Sequence, residues 1–201
     1  MRSTDPLAES CGGHGQTLVL DSLVRTILSQ NTTDKTSIKA FVSLKEKFPS
    51  WDLVLAAEDG DVEDSIRMGG LAAIKVQRIK SILQTLLDER GACCLEWLRS
   101  KDTEDVKTYL RQFKGIGPKT ISCVLMFCLQ RSEFPVDTHV WHISKSLGWC
   151  PQGSSREQAY EHLNARVPGA LKYIGYFWFS LSNTFVVTKI SFHDLILFLC
   201  R

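Results

Sequence analysis

Two side chains of complementary chemistry, the amine of Lys119 and the carboxylate of Asp137, lie 18 residues apart. A deprotonated lysine amine is a nucleophile that forms Schiff bases with electrophilic carbons. An ordinary lysine, with a pKa of about 10.4, is protonated at neutral pH, so a nearby group must take its proton. A carboxylate can do that, or it can stabilise a cation that develops as a leaving group departs. Each residue also has a plainer use. Asp137 precedes Thr138-His139-Val140-Trp141 and can cap a helix, and Lys119 can be a solvated contact to a phosphate.

Lys119 belongs to Phe113-Lys114-Gly115-Ile116-Gly117-Pro118-Lys119-Thr120. Glycine reaches backbone angles closed to other residues, and proline suits the first position of a helix. The stretch therefore predicts a sharp turn that aims the free N–H groups of a new helix outward, where a phosphate can bind regardless of base sequence. The amides of Gly115, Gly117 and Lys119 are expected to converge on one anion. A positive φ is expected at one or both glycines, so Gly117→Val is expected to abolish DNA binding. An ordinary helical corner with glycine stops is the alternative. A helix from Pro118 to about Gln130, then the turn Glu133-Phe134-Pro135-Val136, is expected to bring Lys119 and Asp137 to one cleft. There the amine could attack the sugar C1′ of a flipped nucleotide.

The elements that must hold these residues read as helices throughout. Residues 18–29 are an apolar helix. Asn31-Thr32-Thr33-Asp34 caps a second helix, ending near Phe48-Pro49. Ser50 caps a short helix through Trp51, Leu53 and Val54, and another over 62–68 is stopped by Gly69-Gly70. Over 72–90, Val76, Ile79, Leu83 and Leu86 recur at helical spacing, and Gly91 closes the element. Helices are also expected over 104–112 and from a capping box at Ser154 and Glu157 toward Val167. With no strand-period stretch, the fold class is all-α. The expected organisation is a short N-terminal segment (1–17), a helical core (18–135) with its hairpin over 104–130, an incomplete second lobe (136–172) and an apolar tail (173–201).

The 201 residues are 44% hydrophobic and 23% charged, with a net charge of +2, so charge alone marks no nucleic-acid binder. The seven cysteines form no C-x-x-C pair and read as free thiols in a reducing compartment. The start has no apolar signal region. The longest uncharged run, over 173–188, is polar-interrupted and shorter than the ~18 apolar residues expected of a membrane span.

Together these residues resemble the HhH-GPD superfamily of DNA glycosylases. The hairpin stretch matches that family's helix-hairpin-helix, and Phe134-Pro135-Val136-Asp137-Thr138-His139-Val140 matches the loop ending in its aspartate. Ile27-Leu28-Ser29-Gln30-Asn31-Thr32-Thr33-Asp34 is similar to its first core helix and DNA-touching loop, and Gly69-Gly70-Leu71 with Lys75 and Ile79 to its next long helix. The resemblance implies a two-lobed helical fold and a base-excision repair enzyme on damaged double-stranded DNA. A lysine at the hairpin marks bifunctional members, which remove a base and then nick the strand by β-elimination. Endonuclease III, acting on oxidised pyrimidines, is the nearest type, and plant 5-methylcytosine glycosylases are worded similarly. The resemblance makes Lys119 the Schiff-base nucleophile and Asp137 the essential carboxylate. Gln30 would fill the hole left by the flipped base and Leu71 would be a wedge. Asn31, Gly115, Ile116, Gly117, Thr120 and His139 would be further DNA-binding positions.

The chain departs from the family at Lys114, where a proline is common, and at His142, where an arginine is common. After Lys172 it carries only Cys200, whereas such proteins hold a [4Fe–4S] cluster with four cysteines, so no cluster and no metal are expected here. The ending reads as truncated, with an apolar tail expected to weaken stability and activity, and residues 173–180 expected to be helical. The expected setting is the nucleus or also an organelle, as a monomer away from membranes. Three functions remain open: an active bifunctional glycosylase, a DNA-binding module without activity, and a helical scaffold that binds no nucleic acid.

Overall fold

The computed structural model describes residues 17–182, with side chains described through Tyr176. The N-terminal segment before Thr17, the tail from Asn183 onward and Cys200 lie outside the described residues. Among the described residues every regular element is helical. The order is α1 (Val19–Leu28), α2 (Asp34–Lys47), α3 (Trp51–Ala56), α4 (Asp59–Ile66), a 3₁₀ turn (Arg67–Gly69) and α5 (Ala72–Arg90). A second 3₁₀ turn (Glu96–Ser100), α6 (Thr103–Arg111), α7 (Pro118–Cys123) and a π-helical turn (Val124–Cys128) follow. The last elements are α8 (Thr138–Ser146), α9 (Arg156–Arg166) and α10 (Gly169–Ser182). The chain forms two compact units, one through Arg131 and one from Ser132.

In the first unit, α1 is apolar on much of its circumference and buries Val19, Leu20, Leu23, Val24, Ile27 and Leu28. The stripe of α5, Val76, Ile79, Ile82, Leu83 and Leu86, is buried as its spacing demands, and Gly91 ends the helix in a left-handed conformation at φ 71°. Side-chain caps start two of the other helices: Thr33 accepts from the Thr36 amide at 3.3 Å and Ser50 from the Leu53 amide at 3.4 Å. Cationic side chains tie segments together through carbonyls. Arg99 pairs with Glu96 at 2.6 Å and donates to the carbonyls of Thr17 (2.8 Å) and Cys128 (3.2 Å). Arg131 donates to those of Arg99 (3.1 Å) and Lys101 (2.9 Å).

The second unit packs Phe134, Val136, Val140, Cys150, Ala159, Leu163, Val167 and Leu171 into its own core. Asn164 secures the extended stretch that opens it. Its Oδ1 accepts from the Phe134 amide at 2.8 Å, and its Nδ2 donates to the Phe134 carbonyl at 3.0 Å. Helix α10 includes residues 173–180, as the tail pattern suggested.

Three local expectations need correction. The helix opened by Pro118 keeps α geometry only to Cys123. It then widens into the π turn, with Leu129 donating to the Val124 carbonyl at 3.1 Å, and Gln130 is left-handed at φ 53°. Residues 120–126 are all buried, so no amphipathic period marks where one geometry gives way to the other. The capping box sits one residue later than expected, at Ser155 and Gln158. Ser155 is the residue with extended backbone at the helix start, while the Ser154 hydroxyl is directed to the Pro151 carbonyl at 2.7 Å. Cys93, Cys123, Cys128 and Cys150 are free thiols, but Cys94 is disulfide-bonded. Burial pushes the Cys93 thiol up to about 12 and those of Cys128 and Cys150 upward too, so none of these three is an activated nucleophile. No helix among the described residues is long and apolar enough to cross a membrane.

Replacing Asn164 with alanine strips both hydrogen bonds from the buried Phe134 backbone. Asn164→Ala is expected to destabilise the protein by about 1–3 kcal/mol, read as a lowered thermal-unfolding midpoint.

Candidate nucleic-acid interface and active site

The hairpin is anchored by the buried side chains of Phe113 and Ile116, and Phe113 packs edge-on against Tyr109 with centroids 5.5 Å apart. The chain reverses at Gly115, which is left-handed at φ 85°. A Cβ there would lie 2.5 Å from Nε and 2.7 Å from Cζ of Arg78, so Gly115 is required both for its backbone angle and for the closeness of a guanidinium. Gly117 differs. Its φ is −97° and its ψ 176°, ordinary extended backbone, and a Cβ built there meets nothing within 4 Å. The positive φ expected at one or both glycines belongs to Gly115 of the two, so the backbone strain on which the Gly117→Val expectation rested is absent.

Gln30 joins the loop after α1 to this hairpin. Its Nε2 donates to the Gly115 carbonyl at 3.3 Å and approaches Thr120 Oγ1 at 3.5 Å. Arg78 Nη1 donates to Gln30 Oε1 at 2.7 Å, which fixes which way the amide faces. Gln30, Gly115 and Thr120, each proposed from sequence, are thus brought together. Arg78, which holds them, was missed. Its one signal is position: it is a cation on α5 immediately before Ile79 of the buried stripe, one turn after Lys75.

Asn31 and Leu71 are both exposed and both left-handed, at φ 54° and 53°. Asparagine tolerates that region, whereas a bulky residue there is a strained outlier. Leu71 precedes the first turn of α5, and its side chain projects with 51% of the residue exposed.

Lys119 is half-buried in the first turn of α7, and its amine has no hydrogen-bond or ion-pair partner within the described part of its unit. The N-cap of that helix is Gly117, which offers no side chain, so no cap competes for the first-turn amides. In the second unit Asp137 is the N-cap of α8, with Oδ1 accepting from the Val140 amide at 2.8 Å. Phe134, Pro135 and Val136, all buried, lead the chain to it. The capping reading of Asp137 is therefore realised, and it occupies one carboxylate oxygen. His139 is exposed in the first turn of α8. His142, also exposed, stacks on Trp141 with centroids 4.8 Å apart.

Among the described residues no group of three or more His, Cys, Asp or Glu side chains could hold a metal ion. The described cysteines do not fit a four-thiolate cluster.

The geometry makes the two glycines separable. Gly115→Ala is expected to strain the hairpin by about 1–2 kcal/mol from its backbone angle and to displace Arg78. Gly117→Ala is expected to leave stability nearly unchanged. Thermal unfolding of both variants, with duplex-DNA affinity measured alongside, checks the contrast.

Comparison with known proteins agrees with this frame. The family model described as HhH-GPD superfamily base excision DNA repair protein matches residues 24–169. An Arabidopsis thaliana protein named "Putative DNA glycosylase" is 56% identical over 155 residues, covering 77% of this chain and 53% of that protein. Endonuclease III of Sulfolobus acidocaldarius is 31% identical over 150 residues, covering 74% of this chain and 65% of that one. The DNA glycosylase/AP lyase ROS1 of Arabidopsis thaliana is 34% identical over 128 residues, 64% of this chain but 9% of its own length. The chain thus spans less than two thirds of each of these relatives. Among solved structures, a non-covalent endonuclease III–DNA complex shares the fold with a TM-score of 0.71 at 24% identity, covering 86% of this chain and 75% of that one. With the family model matched over well more than half its length, and with an all-helical fold shared with endonuclease III, this chain belongs to the HhH-GPD superfamily of base excision DNA repair proteins.

Proposed function

We propose that the chain is a bifunctional DNA glycosylase that removes a damaged or modified base from double-stranded DNA and then nicks the strand, acting as a monomer. The observation that carries this reading is Lys119: an amine in the first turn of the helix after the hairpin, unpartnered among the described residues of its unit. The Nζ lone pair forms a bond to C1′ of the flipped nucleotide as the N-glycosidic bond breaks and its electron pair leaves with the base. Opening of the sugar ring gives the Schiff base. Loss of a C2′ proton then expels the 3′ phosphate by β-elimination.

Asp137 serves this chemistry as a carboxylate. With Oδ1 held by the Val140 amide, Oδ2 is the oxygen left to receive the lysine proton or to face the developing sugar cation. Gln30, Asn31, Leu71 and His139, with Gly115, Ile116, Gly117 and Thr120 of the hairpin, form the DNA-facing set. Phosphate contacts give the binding its strength, so affinity is expected to fall as salt rises.

Borohydride trapping on duplexes with an abasic site, thymine glycol or 5-methylcytosine tests the reading and reports which base is taken. A covalent complex is expected with the native chain and none with Lys119→Ala. Asp137→Asn keeps a helix cap, since asparagine caps as well as aspartate. It should therefore melt like the native chain while its trapping rate falls roughly 10²–10⁴-fold. Equal trapping by Lys119→Ala would remove the lysine from the chemistry. Salt-sensitive binding without trapping by the native chain would reduce the function to DNA binding.

A further inference from the structure

Lys75 is among the largest fully buried side chains of the described residues, with 1% of its surface exposed. Buried lysines are rare because taking an ammonium out of water is costly unless its donors are met. Here Nζ donates to the carbonyl of Leu28 at 2.8 Å and to that of Gly69 at 2.9 Å. Both are helix ends: Leu28 is the last residue of α1 and Gly69 the last of the 3₁₀ turn, where carbonyls lack helical donors. Gly69 is itself buried, and a Cβ on it would stand 3.8 Å from Nζ. Each carbonyl lies within three residues of an exposed residue in left-handed backbone, Asn31 after Leu28 and Leu71 after Gly69.

We propose that Lys75 is a positioning residue that rivets these two loops to each other, holding Asn31 and Leu71 at one fixed separation for entry into a DNA duplex. The DNA-facing role of the two tips rests on the function proposed above; the rivet itself rests on the hydrogen bonds. One ammonium bonded to two separate backbone segments fixes the distance between them, which two apolar side chains in contact would not. A well-packed apolar residue often serves stability as well as a buried charge does. The charge is therefore explained by geometry, since only a long cationic side chain reaches both carbonyls. Arg78, one turn further along α5, extends the same arrangement to Gln30.

The test uses the full chain and Lys75→Met, which keeps length and removes the donors. Hydrogen exchange is read at amides bonded within the two loops: Ser29 and Gln30 in one, Gly70 in the other. These are expected to exchange at least tenfold faster together, while amides of α7 and of the second unit keep their native rates. General loosening of the fold would accelerate all of them, and acceleration of one loop alone would also overturn the rivet. If Lys75→Met does not fold, Lys75→Gln, with too short a reach for both carbonyls, must loosen at least one loop while leaving α7 unchanged. The functional arm uses duplexes carrying 2-aminopurine beside a tetrahydrofuran abasic analogue. Native protein is expected to raise the fluorescence and Leu71→Ala to reduce that rise. Lys75→Met should reduce it similarly, and the double variant should add nothing further. Additive losses would overturn the coupling. If exchange responds as stated but no variant changes the fluorescence, the rivet stands and the DNA-facing reading of its tips falls.

Discussion

The guanidinium of Arg78 lies where a side chain on residue 115 would have to be, and the hairpin is built around that exclusion. With no Cβ at Gly115, the backbone turns left-handed and its carbonyl meets the amide of Gln30, which Arg78 holds from the other side. The turn made possible there ends two residues later in a helix start without a side-chain cap, and Lys119 belongs to that first turn. A residue as plain as glycine thus determines where an amine is presented and which face of an amide is shown beside it. The chemistry proposed for Lys119 depends on placement before it depends on the reactivity of the amine.

A comparable constraint shapes the second unit, through a carboxylate committed on one side. Asp137 ends an extended stretch whose backbone is gripped by Asn164, and it begins α8 with one of its oxygens. Capping gives the side chain a fixed rotamer, so the remaining oxygen points in a defined direction. In the proposed chemistry, structure and reactivity are therefore assigned to different atoms of one group, and the two sequence readings of Asp137 do not compete.

Much of this was legible in the sequence because it follows from local chemistry. The stripe of α5, its glycine stop, the Gly-Pro pattern of the hairpin and the aspartate before Thr138 each announce themselves through spacing or type. What escaped has no such signature. Ser154 and Ser155 offer the same hydroxyl, and only the backbone path decides which one stands at the start of the helix. Gly115 and Gly117 are identical in sequence, and only their backbone angles separate them. The π turn begins inside the run 120–126, which is buried throughout, so no period tells one helix geometry from another there. The roles of Lys75 and Arg78 have no signature in sequence, because a cation on a helix usually belongs to a solvated face.

The preference of this molecule's inner cations for backbone oxygen has a consequence for its history. Lys75, Arg99, Arg131 and Lys172 each donate to main-chain carbonyls of distant segments. A carbonyl is present whatever amino acid supplies it. Substitution at the accepting position leaves such a bond possible, so no compensating change is demanded of the cation. Paired drift between sequences, which exposes contacts between side chains, will be silent at these joints. In diverging relatives the cations should persist alone, beside acceptor positions that answer to their own packing and to the path of their backbone rather than to the cation.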